Sequence, residues 1–149
     1  MFGSIAVAQA QSALYTLGEP IDVVLTAPVS SEIAHVGDEF FFKTISEVKL
    51  GDLDVPEGTP GSGRIALAKP SADGTYGQLA MQADVLDLGA TKIFVNVDTS
   101  IRPRARLSAG NDLVLGTGTA FRVTTIYPRD ADAPLVQMTK LPPGTVVVR

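Results

Sequence analysis

Hydrophobic and polar positions alternate along most of this chain in short runs, each closed by Gly, Pro, Asn or Asp. The cleanest run is Gln78-Leu79-Ala80-Met81-Gln82-Ala83-Asp84-Val85. A strand points successive side chains to opposite faces, so this run predicts one buried and one solvated face. Ile93, Val95 and Val97 repeat the pattern after the turn Gly89-Ala90-Thr91. Earlier, Ile21-Asp22-Val23-Val24-Leu25 follows Glu19-Pro20, and the aromatic run Glu39-Phe40-Phe41-Phe42-Lys43-Thr44-Ile45 follows Gly37-Asp38. Alternation sends two of its three rings to the core and one outward. Residues 63–68, 113–115, 121–125 and 145–148 complete the set of β-rich runs. About eight to ten strands at roughly ten-residue spacing predict an all-β, single-domain, mostly antiparallel barrel or sandwich. The division this implies is an N-terminal arm, 1–14, and a β-domain, 15–149. Helical patterning is weak: Ser30-Ser31-Glu32-Ile33-Ala34-His35-Val36 reads as one turn capped by Ser30 or Ser31, and residues 4–17 are helical by composition alone.

One phrase occurs three times. Val55-Pro56-Glu57-Gly58-Thr59, Leu115-Gly116-Thr117-Gly118-Thr119 and Leu141-Pro142-Pro143-Gly144-Thr145 each join an apolar residue to a Gly-Thr turn that opens a strand. Reuse of favourable turn chemistry and internal duplication both account for it.

Composition narrows the chemistry. With 149 residues, 45% hydrophobic, 19% charged and a mean hydropathy of +0.22, the chain has material for one sizeable core and none of the marks of disorder. Zero cysteines exclude disulfides, thiol nucleophiles and Cys-ligated metals, and a single histidine, His35, excludes a His-rich metal site. No cofactor is expected. The net charge is −4, with 4 Lys/Arg against 10 Asp/Glu in residues 1–75 and 8 against 6 beyond. An acidic chain without a basic stripe is a poor nucleic-acid binder, and no apolar run is long enough for a membrane-spanning helix. Ala8-Gln9-Ala10 has the form of a signal-peptidase site. Residues 1–12 then read either as the remnant of a signal peptide or as an arm, and a periplasmic or extracellular location is expected.

Between residues 18 and 97 the turn motifs follow a recognisable order: Pro28-Val29-Ser30-Ser31, Val36-Gly37-Asp38, Pro56-Glu57-Gly58-Thr59, Gly63-Arg64-Ile65 and Asp73-Gly74-Thr75-Tyr76-Gly77, then alternating strands. This order resembles that of exported bacterial β-domains of uncharacterised function, and it is similar to the β-barrel scaffold subunit of type IV secretion systems. The resemblance implies a periplasmic or surface β-barrel without catalysis.

Candidate chemistry is sparse. Arg102-Pro103-Arg104-Ala105-Arg106 is the sharpest local feature. In extended backbone its three guanidiniums share one face, fit to clamp phosphate or carboxylate groups of an anionic envelope polymer or an acidic partner. Its bland reading is an edge strand guarded by charge and proline, or one paired with the acidic first half. Asp98-Thr99-Ser100 lacks the glycine an aspartic-protease loop requires, and an isolated Asp at a strand end is usually a turn acceptor. Gly51-Asp52-Leu53-Asp54-Val55-Pro56-Glu57 reads as a solvated hairpin tip before a Ca²⁺ site, and Asp130-Ala131-Asp132 reads the same way. His35, among apolar neighbours, reads as a partly buried structural histidine.

The expectation is a non-enzymatic binding or scaffolding module of the bacterial envelope or a surface assembly, acting with a protein partner or further copies of itself. A variant has a repeating subunit assembled through its N-terminal arm by strand addition. Two opposing readings remain: a hydrolase pairing Asp98 with Asp52 or Asp54, and a carbohydrate binder stacking sugars on Tyr15, Tyr76 and Tyr127.

Overall fold

A computed structural model describes residues 15–129, residue 135 and residues 146–148. The expected arm at 1–14, the acidic pair Asp130 and Asp132, and the third Gly-Thr turn lie outside these residues. The fold is all-β. Its strands are β1 (Pro20–Leu25), β2 (Val29–Ser30), β3 (Glu39–Thr44), β4 (Val48–Leu50), β5 (Leu53–Val55), β6 (Pro60–Lys69), β7 (Gln78–Asp87), β8 (Lys92–Val97), β9 (Arg106–Leu107), β10 (Leu113–Leu115), β11 (Ala120–Thr125) and β12 (Val146–Val148). The eight runs read from the sequence each become a strand. The additional ones are the two-residue ladders β2 and β9 and the β4–β5 hairpin, pieces too short to carry a hydrophobic period.

Six strands close on themselves in the order β7-β6-β3-β1-β11-β8, with β8 returning to β7, and every pairing in that ring is antiparallel. The period-two pattern drives this. Ile21, Val23 and Leu25 of β1, Phe40 and Phe42 of β3, Phe121 and Val123 of β11, and Ile93, Val95 and Val97 of β8 all point inward and are buried. Phe41, the third ring, stands on the outer face, 49% exposed.

Two glycines make the barrel possible. Phe40 lies directly across from Gly63 and Phe42 from Gly61 in the β3–β6 register. A Cβ on Gly61 would sit 2.3 Å from the Phe42 ring; one on Gly63 would meet the Phe40 ring at 2.6 Å and the Gln82 carbonyl oxygen at 2.3 Å. The rings occupy the room the missing side chains leave. Phe121 packs edge-on against Phe42 with ring centroids 5.3 Å apart.

The strand at 78–87 departs from expectation. Its outer face is covered as well as its inner: Ala80 is as buried as Leu79 and Met81. On β6 an extra residue at Ala66 breaks the register, so that Ala66 and Leu67 join Ala80 in a second apolar cluster on which Leu135 packs. β12 runs parallel to β7 beside residues 79–81. Leu135 thus replaces solvent over this face.

Both described Gly-Thr turns have the same construction. The Thr59 amide donates to the Pro56 carbonyl and Gly58 has φ +83°; the Thr119 amide donates to Gly116 and Gly118 has φ +86°. Each turn also exchanges backbone bonds with the last residue of another strand, Thr44 of β3 in the first case and Leu25 of β1 in the second.

Gly63→Ala is expected to destabilise the fold by about 2–3 kcal/mol through overpacking. The comparison is Gly116→Ala, where an added Cβ meets nothing within 4 Å and the change stays within about 0.5 kcal/mol of zero. Urea unfolding of the two variants checks the contrast.

Candidate binding surface

The arginine segment leaves the barrel after β8 and returns as β9. Residues 102–105 belong to no strand, helix or turn, and among the described residues β9 is the edge of a three-stranded sheet, β2-β10-β9. Burial alternates along the segment: Pro103 is buried, Ala105 packs against the core, and Arg102, Arg104 and Arg106 are exposed. All three arginines are exposed to solvent. Among the described residues none of them forms an ion pair, so pairing with the acidic first half is not seen. Pro103 sits next to an edge, where its missing N–H costs no ladder bond.

A buried polar cluster fixes this edge to the barrel. Asp112, 5% exposed, follows Asn111, which takes a left-handed φ of 68°. Its carboxylate accepts the Ser71 amide at 2.7 Å, the Ser31 hydroxyl at 2.9 Å and the Ser71 hydroxyl at 3.2 Å. Ser31 Oγ in turn accepts the Leu113 amide at 2.9 Å, and Ser108 Oγ accepts the Asp112 amide at 3.1 Å. Gly77 fits against Ser31 with no room for a Cβ and donates its N–H to the Asn111 carbonyl. Three distant chain segments therefore meet on one carboxylate. The Ser71 amide does most to hold the Asp112 pKa below the ordinary range, with the two serine hydroxyls adding to it against the effect of desolvation. Sequence reading missed this cluster, since Gly110-Asn111-Asp112 looks like any turn; the one available signal was an Asp immediately before an apolar strand.

The other candidates separate. Asp98 is a turn acceptor: its Oδ1 takes the Ser100 hydroxyl at 2.6 Å and amide at 2.9 Å, and these bonds hold its carboxyl below the usual value. Asp52 and Asp54 lie on the β4–β5 hairpin, where Asp54 meets Lys49 at 3.6 Å in solvent. His35 is exposed instead of partly buried. Its side chain is 85% accessible and lies 3.8 Å from Asp38, because Asp38 Oδ2 caps the His35 amide and turns the ring outward. The turn itself forms as read, with Ala34 N–H donating to Ser30 O and Ser30 Oγ accepting the Glu32 amide. Tyr15 is buried, donating its hydroxyl to Ile126 O and accepting the Phe94 amide, while Tyr76 and Tyr127 are exposed. The three tyrosines cannot form one stacking platform. Among the described residues no three acidic, His or Cys side chains converge to hold a metal, and no helix is long and apolar enough to cross a membrane. An open cleft of about 270 Å³ lies between Pro28, Val29, Ile33, Ala34 and Ile65, rimmed by Asp38 and Glu39.

No family model matches the chain, and no curated protein matches it. Among solved structures the fold is similar to ComB10 of the Com type IV secretion system of Helicobacter pylori. The TM-score is 0.50 at 11% identity, over 78% of this chain and 92% of that one. The order of turn motifs implied this likeness, and it holds at the level of fold.

Asp112 makes a pH prediction. A depressed folded-state pKa stabilises the fold fully above the unfolded-chain value of about 4, and that contribution fades as pH falls through the folded value. Asp112→Asn should therefore lower the urea midpoint at neutral pH, and the gap to the parent should close below about pH 4. A gap that stays constant down to acid pH contradicts this role.

Proposed function

We propose that this protein is a non-enzymatic binding or scaffolding module of the bacterial envelope or a surface assembly. The observation that carries the reading is the likeness in fold to ComB10, a component of a type IV secretion system, over most of both chains. The use of polar side chains supports it. Asp98 and Asp112 accept hydrogen bonds that fix turns, Asp84 receives Arg64 and Arg129, and the arginines left exposed form an edge suited to contact. That distribution favours an object that is held and holds, over one that turns over a substrate.

Fractionation of the native host followed by cross-linking tests it. The protein is expected to sediment with the envelope and to cross-link into a species well above its own 15.6 kDa. Recovery as a free cytosolic monomer overturns the reading.

A further inference from the structure

We propose that the edge formed by residues 102–107 captures an acidic protein segment in extended conformation, which adds to β9 as a further strand. The proposal rests on the binding-module reading and gives it a partner chemistry.

Two properties of one short segment carry it. The first is its backbone. Among the described residues, 102–105 make no hydrogen bond, and β9 has a neighbour, β10, on one side alone. The alternating burial of residues 102–106 fits extended backbone, and its open C=O groups, with the N–H groups of Arg102, Arg104 and Ala105 (Pro103 has none), form a template for an incoming strand. The second is its charge. Arg102, Arg104 and Arg106 recur at every second position on the solvent side, with Pro103 and Ala105 turned inward. A strand repeats its side-chain direction about every 6.4–6.8 Å. Carboxylates at alternate positions of an added strand match that spacing, and each guanidinium offers a planar fork for one of them. Leu107, 44% exposed on the same edge, adds an apolar contact.

The backbone decides between kinds of partner. A polyanion without peptide groups meets the guanidiniums and leaves the open N–H and C=O groups in water; an acidic strand meets both. The charge row and Pro103 also deter the cationic edge of a second copy, so the features that guard the edge select for acidity. The Asp112 cluster ties down the turn that joins β9 to β10, which limits the conformational freedom lost there on capture.

The test titrates the purified chain at low salt with a labelled peptide of alternating Thr and Glu. Saturable binding is expected, with amide shift changes confined to residues 102–107 and their β10 neighbours. The triple variant Arg102→Glu, Arg104→Glu, Arg106→Glu should weaken it by at least about tenfold. A peptide of equal charge, N-methylated at alternate backbone nitrogens, should also bind at least about tenfold more weakly to the parent chain. That arm needs no protein variant to fold. The proposal falls if nothing saturates, if the triple variant binds like the parent, or if the N-methylated peptide matches the unmodified one. Polyphosphate binding as tightly as the peptide makes the edge a polyanion site instead and also overturns it. A failed titration beside an intact envelope complex sinks this proposal alone, whereas a cytosolic monomer sinks the binding-module reading whatever the peptide does.

Discussion

Two phenylalanine rings standing over two glycines set the bore of this barrel. A six-strand ring encloses little space, and side chains from all its strands compete for the axis. β6 solves the problem by contributing no side chain at Gly61 and Gly63, so that Phe42 and Phe40 can cross from β3 and meet Phe121. A packed axis keeps chemistry off the inside. Polar side chains stand on the turns, the short outer sheet and the β9 edge.

Closure depends on how β7 shares its second edge. β8 pairs with its far end at residues 85–87, and β12 lies along residues 79–81. Between them an extra residue, Asp84, interrupts the register with β6. Arg129 fills the split. Its guanidinium donates to the Ala83 carbonyl at 2.9 Å, to Asp84 at 3.3 Å, and across to Asn96 of β8 at 3.3 Å. Tyr15 fastens the neighbouring seam through the Phe94 amide and the Ile126 carbonyl. Backbone groups that a parting pair of strands would strand without partners are met by side chains from beyond both.

Strand positions were legible in the sequence because each strand with one inward face must alternate, and β1, β3, β8 and β11 do so residue by residue. The twin Gly-Thr turns were legible for a similar local reason, the positive φ that glycine alone accepts cheaply. What escaped was set by distant chain. Nothing local marks Ala80 as covered on its outer face, because Leu135 does the covering. His35 sits among apolar letters yet faces water, since one capping carboxylate three residues on decides its direction. The arginine row was visible as a pattern, and its face and its edge position follow from Pro103. Its support, Ser31 and Ser71 on Asp112, spans up to 81 residues of sequence and had no local signature.

The pairing of β1 with β11 has a kinetic meaning. Asp22 meets Arg122 across 100 residues, so ring closure must wait until nearly the whole barrel sequence is available. β1 has an earlier companion in β3, which shelters one of its edges while the other stays open. Non-local β topologies of this kind fold in milliseconds to seconds, orders of magnitude behind helical bundles, because loop entropy is lost before contacts compensate it. A chain emerging from its first end therefore cannot close the ring until residues 120–125 are present, and until then the β11-facing edge of β1 is unpaired.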